Sequence, residues 1–495
     1  MLRDPKPAVL LLLVAAFACT PHPEPPAVNL EKIEPLPAKS NILLITVDTL
    51  RADHLSAWGY TRPTSPAIDK LAAEGVRFDQ ATVQWPKTTP SFASIFTSTY
   101  SKDNQIVRTA GQPISCQFLT FPEVLKRQGY TNYAVIANAA VGSEFFFNQG
   151  FDEYIETWKL PHGADGADPN RAEAVTNLAI GLLDKLQKAG KPYFLWVHYL
   201  DPHFPYEPPL EPDKARGKFQ NDARFDPSVK IPLSPDKPKQ QMFGIGSERV
   251  LDGHTDLAFY IARYDAEIAY TDAQIGRLLD EMKKRSMLGK TLTAFTADHG
   301  ESLGDHGYYF DHGRFSFQTC LHVPLVLHYP GALQPRVDKQ PAELIDLAPT
   351  LLEAAGVPLP GGVWMQGRTF TPRLRGQAAP DSLAYSEAGW ESHNKWQKVV
   401  RDARFKLIYA QTRPEQRFIG GEGVRFVLFD LVNDPGETVN VIDKFPQDAE
   451  RLKKELWRWE KAQPFNVDTD TQGGTCGARE MDDETRKLLH SLGYL

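Results

Sequence analysis

The chain has 495 residues, of which 42% are hydrophobic and 24% are charged, a composition that excludes disordered, collagen-like and multi-span membrane proteins. Its 55 basic and 62 acidic side chains give a formal net charge of −7 without a basic block, so no nucleic-acid partner is expected. The length favours one large domain with a smaller companion.

The amino terminus has the pattern of a bacterial export signal. Arg3 and Lys6 precede the apolar run 8–17, which is too short to span a bilayer but fits the hydrophobic part of a signal peptide. The residues before Cys19 satisfy a small-residue cleavage rule and also resemble a lipobox, whose cysteine is acylated. We therefore expect residues 1–19 to direct export to the cell envelope, with a lipid anchor as the membrane contact; a periplasmic or secreted protein is the alternative.

A proline-rich segment follows the predicted signal, and the chain has four widely separated cysteines. Residues 20–40 contain six prolines and are predicted to form an extended tether. The cysteines have no metal-ligand spacing, which argues against a zinc knuckle. If Cys19 is acylated, two of Cys116, Cys320 and Cys476 could pair in an exported chain, and the spacing does not choose the pair. Free buried thiols are the alternative.

From residue 41 onward, apolar strands alternate with helices. Asn41–Val47 is an apolar run of the kind that is buried on both faces of a parallel sheet, and a helix is predicted to start at Ser65-Pro66 and to stop at Gly75. Further strands are predicted at Tyr133–Ala137, Tyr193–Leu200, Leu292–Ala297 and Val323–His328, and helices at Ala172–Ala189 and Leu257–Arg285. This alternation predicts an α/β domain over residues 41–376, with a mostly parallel central sheet and helices on both faces.

Two later regions depart from the alternation. Residues 205–253 mix eight prolines with charges and are predicted to be a long surface insertion. Residues 377–465 are predicted to form a smaller α+β subdomain, and residues 466–495 a tail with one short helix. The elements expected there are strands at Lys398–Arg401, Phe405–Tyr409 and Arg425–Leu431 and helices at Asp448–Ala462 and Asp483–Leu492.

Three predicted strands end in side chains that suit a cation or an anion. Asp48 follows the first strand, Asp201 and His203 follow the third of the series, and Asp298 and His299 follow another. In doubly wound sheets ligands bind at the carboxyl ends of strands, so these groups are predicted to converge. Any one of these aspartates alone could simply cap a turn; three such strand ends together favour a shared site.

The segment 85–97, with the sequence WPKTTPSFASIFT, is predicted to form a buried helix that begins just after Pro90. Thr88 and Thr89 would then lie at its amino terminus, where free N–H groups and the helix dipole favour an anion. A threonine there is often only an N-cap. Beside an Asp/His metal cluster, however, it becomes a candidate nucleophile, because metal coordination makes a hydroxyl reactive at neutral pH.

Taken in order, these segments resemble the sulfatase branch of the alkaline phosphatase superfamily. The resemblance covers nearly everything from residue 41 onward, and it implies an alkaline-phosphatase-like three-layer sandwich with a smaller C-terminal α+β subdomain. The motifs that carry it lie at residues 41–53, around Thr88, and at 198–203, 296–302, 345–352, 428–438 and 492–495.

The resemblance implies a metal-dependent ester hydrolase with one divalent cation. Its ligands would be Asp48, Asp298 and His299, with Thr88 completing the shell. Calcium, magnesium or manganese would suit the oxygen ligands, while the histidine leaves zinc open. Where many relatives have two consecutive acids, this chain has Thr49 after Asp48, so one possible carboxylate is missing.

The same resemblance implies further catalytic and substrate-binding residues. His203 and His312 would lie beside the oxyanion or the leaving group of the substrate. Lys87 is a candidate for replacing positive charge that the site has lost, with a solvated side chain as the alternative, and Asp201 is a second candidate substrate contact. The substrate is expected to be a small-molecule, glycan or lipid ester.

The signature at the nucleophile departs from the family pattern. Sulfatases resemble Cys/Ser-x-Pro-Ser/Ala-Arg, in which the first residue becomes formylglycine, whereas this chain reads TTPSF at residues 88–92. Threonine is not a substrate for that conversion, and Phe92 replaces the arginine. Thr88 therefore resembles the nucleophile of phosphoryl-transferring relatives, and phosphate mono- or diesters are predicted over sulfate esters. A phosphoryl-group transferase of the cell envelope and a catalytically weak, tethered binding protein remain the alternatives.

Overall fold

The computed structural model describes residues 39–163, 168–209, 219, 228–233, 242–360, 363, 365–377, 379, 382–389, 396–410, 425–462, 481–492 and 494. The predicted signal segment, most of the predicted tether and the first part of the predicted tail lie outside these residues. Among the described residues, none of the helices combines the length and the apolarity needed to cross a bilayer.

Strands and helices alternate through the first three quarters of the chain. The strands are β1 Asn41–Val47, β2 Val76–Thr82, β3 Thr131–Ile136, β4 Glu153–Glu156, β5 Tyr193–Tyr199, β6 Thr291–Ala297, β7 Ser302–Leu303, β8 Tyr309–Asp311, β9 His322–His328, β10 Arg336–Glu343, β11 Ala384–Gly389, β12 Trp396–Arg401, β13 Phe405–Ala410 and β14 Phe426–Asp430. The α-helices are α1 Pro66–Glu74, α2 Thr88–Thr97, α3 Ser101–Asn104, α4 Phe121–Arg127, α5 Ala172–Ala189, α6 Leu257–Lys284, α7 Gln318–Leu321, α8 Leu347–Ala354, α9 Thr371–Leu374, α10 Pro446–Glu460 and α11 Asp483–Ser491.

The central sheet has eight strands in the order β10-β2-β9-β6-β1-β5-β3-β4. β1 lies between β5 and β6 and is parallel to both, and β3 is parallel to β5 and β4. β9 is antiparallel to its neighbours β6 and β2, so it runs against the other strands. The prediction of a mostly parallel central sheet is therefore confirmed.

Helices cover both faces of this sheet. α1 and α5 each pack against α6, and α2, α4 and α8 form a second group. The side chains of β1 and β6 are buried almost throughout, as expected for strands between two helix layers. The buried apolar runs predicted from the sequence are thus the central strands of the sheet.

Three strands of the sheet were not predicted from the sequence. β10 carries charged residues and Pro341, while β2, between β10 and β9, has charged residues at partly exposed positions that interrupt its apolar pattern. β10 lies at one edge of the sheet and the short β4 at the other. Edge strands tolerate charge and proline because one side of their backbone has no ladder to complete, and such sequences lack the apolar run that marks a buried strand.

The C-terminal region has its own antiparallel sheet, in the order β11-β12-β13-β14, and α10 packs against β12 and β13. The sequence prediction of a smaller α+β subdomain is confirmed, although the first strand, β11, was missed. The core of the subdomain includes Leu407, Leu428 and Leu452. Within it, Lys406 and Glu437 form a buried ion pair at 2.6 Å.

The cysteines and the predicted insertion are only partly described. Cys116 is disulfide-bonded, whereas Cys320 is a buried free thiol. In the insertion, Ile231 and Ile245 are buried while Leu233 and Phe243 are exposed. Residues 210–218, 220–227 and 234–241 of the insertion lie outside the described residues.

Candidate active site

Neighbouring strands bring the predicted metal ligands together. The register of the parallel pairs places Val47 opposite Tyr199 of β5 and opposite Ala297 of β6, so the residues that follow β1 and β6 meet at one edge of the sheet. One ligand atom each of Asp48, Asp298 and His299 lies within 4.8 Å of the others, and all three side chains are fully buried. Groups separated by about 250 residues of sequence therefore share one cluster.

Each of the two carboxylates in this cluster has one buried oxygen that accepts no hydrogen bond from the described part of the chain. Asp48 Oδ1 and Asp298 Oδ2 lack a hydrogen-bond partner in the described part of the chain. Asp298 Oδ1 accepts from the backbone N–H groups of Thr49 (3.3 Å) and His299 (2.9 Å). Buried acceptors without partners are costly, so the arrangement fits a bound cation.

Burial and neighbouring charges shift the pKa values of the two carboxyl groups in opposite directions. Burial, reinforced by the charge of Asp48, raises the pKa of Asp298 well above its ordinary value. Burial also acts to raise the pKa of Asp48, but interactions with His198, His203 and His299 outweigh it and hold that pKa well below its ordinary value. Two adjacent carboxyl groups without a counter-ion cannot both ionise easily, and a divalent cation would remove this conflict.

The helix that carries the candidate nucleophile begins earlier than its sequence predicts. α2 starts at Thr88, with Lys87 as its N-cap residue, and not after Pro90. The prediction was wrong because a proline in the first helical turn gives up an N–H group that has no partner within the helix anyway. Thr88 is therefore the first residue of the helix and lies at its positive end.

Only one of three neighbouring hydroxyl groups points towards the carboxylates. Thr88 Oγ1 lies 3.2 Å from His299 Nε2. Thr89 Oγ1 instead donates to the carbonyl of Ala140 at 2.7 Å, and Ser91 Oγ donates to the carbonyl of Asp298 at 2.6 Å. Among these three, the geometry favours Thr88 as the nucleophile.

The two predicted catalytic histidines lie next to each other beside the cluster. The ring centroids of His203 and His312 are 5.5 Å apart, and those of His312 and His299 are 4.1 Å apart. Burial lowers the pKa of His203. Burial also acts to lower the pKa of His312, but Glu301, whose Oε1 lies 3.3 Å from His312 Nδ1, raises it overall. The two rings are thus suited to different protonation states.

The two predicted substrate contacts have different surroundings. The Lys87 side chain lies directly against Gly313, which adopts φ +90° and has no room for a Cβ beside that lysine. Lys87 is thereby held next to the loop of His312. In contrast, Asp201 Oδ1 pairs with Arg171 at 2.7 Å and Oδ2 accepts from a backbone N–H group at 2.9 Å. Both of its oxygens therefore bind protein groups, and a role of Asp201 as a substrate contact stays a prediction.

Sequence reasoning missed several residues that surround the cluster. Asn138, just after β3, donates to Asp48 Oδ2, and His198 Nε2 lies 3.6 Å from the same oxygen. Phe92, which the sequence predicts on the buried face of α2, packs its ring 5.0 Å from those of Trp196 and His198. For Asn138 and His198, the location near the carboxyl ends of buried strands was a signal that could have identified them.

Protein-family models and known proteins match most of the sequence of this chain. The sulfatase family model matches residues 40–357, and the family described as "N-sulphoglucosamine sulphohydrolase, C-terminal" matches residues 304–462. N-acetylglucosamine-6-O-sulfatase of Bacteroides thetaiotaomicron is 25% identical, over 94% of this chain and 92% of that protein. Choline-sulfatase of Rhizobium meliloti is 26% identical, over 82% and 83%.

Solved structures share the fold. The phosphonate monoester hydrolase of Agrobacterium radiobacter superposes with a TM-score of 0.65 at 22% identity, covering 85% of this chain and 95% of that one. A protein in complex with its substrate D-glucosamine-2-N,6-O-disulfate gives a TM-score of 0.67 at 22% identity, covering 85% and 97%. One fold therefore accommodates both sulfate and phosphonate ester substrates.

Proposed function

The chain belongs to the sulfatase family of ester hydrolases, and we propose that it hydrolyses phosphorus esters, with Thr88 as the nucleophile. The observation that carries this proposal is the Thr88 hydroxyl, which cannot become formylglycine and yet lies 3.2 Å from His299 Nε2 in the buried carboxylate cluster. A plain hydroxyl suits attack on phosphorus with a cation as activator. Phosphate mono- or diesters and phosphonate esters are the proposed substrates, in preference to sulfate esters.

We propose that one divalent cation binds to Asp48, Asp298, His299 and Thr88. The partnerless oxygens of the two carboxylates and the distances of at most 4.8 Å within the cluster support this ligand set. Oxygen-rich ligands favour magnesium, manganese or calcium, and the imidazole leaves zinc open. When bound, the cation would supply positive charge that lowers the pKa of the attacking hydroxyl.

The surrounding residues divide the proton transfers between them. Thr88 Oγ1 forms a bond to phosphorus while the bond to the leaving alkoxide breaks, and water later releases the phosphoryl group from Thr88. His312, whose pKa Glu301 raises, donates a proton to the leaving oxygen. His203, whose pKa burial lowers, is the complementary acceptor. The free N–H groups at the start of α2 favour the negative charge that develops on the phosphoryl oxygens.

The relatives and the first residues of the sequence support a substrate class and a location. The relatives named above act on sugar and choline sulfates, so we propose a small-molecule or glycan ester as the substrate. We also propose that the protein is exported and lipid-anchored through Cys19, because its first residues carry a lipobox-like signal. Thr20–Ser40 would then hold the catalytic body away from the membrane.

The test compares esters that share one aryl leaving group. Metal-loaded protein is assayed with a phosphate monoester, a phosphate diester, a phosphonate monoester and a sulfate ester. We expect faster turnover of at least one phosphorus ester than of the sulfate ester. Hydrolysis releases phosphate from the monoester, a phosphate monoester from the diester and a free phosphonate from the phosphonate ester; release of the phenol without an equal amount of that product would indicate a transferase instead.

Substitutions identify the nucleophile in the same assay. Thr88→Ala is expected to lower kcat by about a thousandfold or more, while Thr88→Ser keeps appreciable activity because it retains a hydroxyl. Thr89→Ala is the matched control, since its hydroxyl bonds to a backbone carbonyl outside the cluster. Full activity of Thr88→Ala, or loss of activity only in Thr89→Ala, would overturn the assignment.

A further inference from the structure

The end of the chain docks onto the catalytic domain beside the active site. Helix α11 is anchored by a hydrogen bond of 3.0 Å from Trp158 Nε1 to Thr485 Oγ1 and by an ion pair of 2.9 Å between Lys159 and Asp482. Leu489, on the same helix, is fully buried in the main core. The helix packs against the short turns that contain residues 139–141 and 157–159. These contacts fix the helix that precedes Tyr494.

Tyr494 extends from this anchor into the reaction centre. Its Oη lies 2.9 Å from His203 Nε2 and 3.3 Å from Thr88 Oγ1. The phenol therefore touches both the proposed nucleophile and one of the two catalytic histidines. The proposed mechanism leaves this residue without a role, although 406 positions separate it from Thr88.

The hydrogen-bond partners of His203 fix the direction of this contact. His203 Nδ1 lies 2.7 Å from the carbonyl oxygen of Phe204, which can only accept, so Nδ1 carries a hydrogen. In the neutral ring Nε2 is then an acceptor, and the Tyr494 hydroxyl donates to it. The phenol oxygen keeps a lone pair that can accept from the Thr88 hydroxyl, 3.3 Å away, and this orientation gives a chain from Thr88 through Tyr494 to His203.

We propose that Tyr494 is a catalytic residue that relays the proton of Thr88 to His203, so that the carboxyl-terminal segment forms part of the active site. The proposal rests on the proposed function. As Thr88 Oγ1 bonds to phosphorus, its hydrogen passes to Tyr494 Oη while the hydrogen of Tyr494 passes to His203 Nε2. The phenol is unchanged at the end, and His203 holds one additional proton.

A competing partner for the Thr88 hydrogen lies within the cluster. His299 Nδ1 lies 2.9 Å from the carbonyl oxygen of Gly300 and therefore carries a hydrogen, so in the neutral ring Nε2, 3.2 Å from Thr88 Oγ1, is an acceptor for the Thr88 hydroxyl. A cation bound to His299 through this nitrogen would remove that acceptor, and the hydrogen would be left to Tyr494. We therefore expect the relay to operate in the metal-loaded protein, and the tests use that form.

The first test is Tyr494→Phe in the full-length, metal-loaded protein. We expect kcat to fall between tenfold and a hundredfold, while KM and the dissociation constant of inorganic phosphate stay within about threefold, because the ring still fills its place and only the relay is lost. Lys487→Ala is the matched control: this lysine lies on the same helix with an exposed side chain, and its substitution leaves kcat unchanged. An unaltered kcat in Tyr494→Phe would overturn the proposal. Faster turnover or tighter phosphate binding would do so as well, and would indicate a tail that blocks the site.

A double-mutant cycle separates a relay from a merely structural contact. If Tyr494 acts through His203, the variant His203→Ala/Tyr494→Phe is no slower than His203→Ala alone. Fully additive losses in kcat would mean that the two residues act independently, and the relay would be wrong.

A further readout does not depend on ester hydrolysis. The metal-loaded protein is treated with an aryl fluorophosphonate, and phosphonylation of Thr88 is followed by intact and peptide mass spectrometry. If Thr88 is labelled and the Tyr494→Phe variant is labelled at least tenfold more slowly, the relay holds even if no ester is turned over and the proposed function fails. Absent labelling of Thr88, or equal rates in both proteins, would overturn the relay.

Discussion

Replacing Asp298 by asparagine tests whether the carboxylate cluster is built for a cation. The two buried carboxyl groups lie within 4.8 Å of each other, where two unit charges at an effective dielectric constant of about 20 repel by about 3 kcal/mol. At a pH where both groups are ionised, Asp298→Asn removes this repulsion from the metal-free protein. We therefore expect the metal-free variant to be at least as stable as the metal-free wild type, although most substitutions of buried residues destabilise.

The stability of the metal-free protein should depend on pH because of the same two carboxyl groups. The pKa of Asp298 is raised above its ordinary value of 3.8 in the folded state, so the folded protein binds this proton more tightly than the unfolded chain. The corresponding stability is present below pH 3.8 and is lost as the pH rises through the folded value. Asp298→Asn lacks this contribution, and its advantage over the wild type therefore increases towards alkaline pH.

Addition of metal should make the wild type more stable than Asp298→Asn. A cation at one hundred times its dissociation constant stabilises the folded state by about 2.7 kcal/mol. For a chain of this length the unfolding entropy is about 1 kcal/mol per degree, which gives an increase of about 3 °C in Tm for the wild type. Asp298→Asn should show little increase because it lacks one of the two charges that bind the cation.

The assay is differential scanning calorimetry after exhaustive chelation, with magnesium, manganese, calcium or zinc then added in turn. Asp272→Asn is the control: Asp272 is also buried, but it binds the backbone N–H groups of Ala67 and Ile68 at the start of α1. That variant should be less stable than the wild type and still respond to metal. An equal metal-dependent increase in Tm for Asp298→Asn and wild type would refute the reasoning.

Three other substitutions test separate parts of the account. Cys19→Ala should release the protein from membranes with kcat/KM unchanged, as measured by fractionation and assay; continued membrane retention would exclude the lipid anchor. Trp459→Ala should lower the free energy of unfolding by about 3–5 kcal/mol, measured by denaturant titration, because the indole stacks on Tyr385 at 5.2 Å and closes the C-terminal subdomain. Gly313→Ala should lower both Tm and kcat, because it forces an unfavourable φ of +90° and displaces Lys87; unchanged values would show that this loop adapts freely.

The central sheet was predictable because its inner strands are buried on both faces. β1, β5 and β6 are mostly apolar and contain no Asp, Glu, Lys or Arg, and the sequence pattern alone locates them to within a residue or so. β10 and β11 were not predictable from the same signal, since β10 carries charges at an edge and β11 has a mixed pattern. Whether a strand can be predicted from its sequence therefore depends on how it is buried, and not on its backbone conformation.

The site was predictable only where short motifs follow buried strands. Asp48 and Asp298 each come directly after such a strand, and parallel pairing then brings them together. The start of α2 was wrongly predicted because Pro90 can occupy the first helical turn. Tyr494 was not predictable as a site residue, because its contact with Thr88 depends on how the terminal helix docks.

The most direct measurement is to trap the covalent intermediate. Metal-loaded protein is mixed with an aryl phosphate or phosphonate ester, quenched in acid within one turnover, digested and analysed by mass spectrometry. The account predicts a phosphoryl or phosphonyl group on Thr88, absent in Thr88→Ala and formed more slowly in Tyr494→Phe. Turnover of the ester with the adduct on another residue, or with none on Thr88 at any quench time, would contradict it.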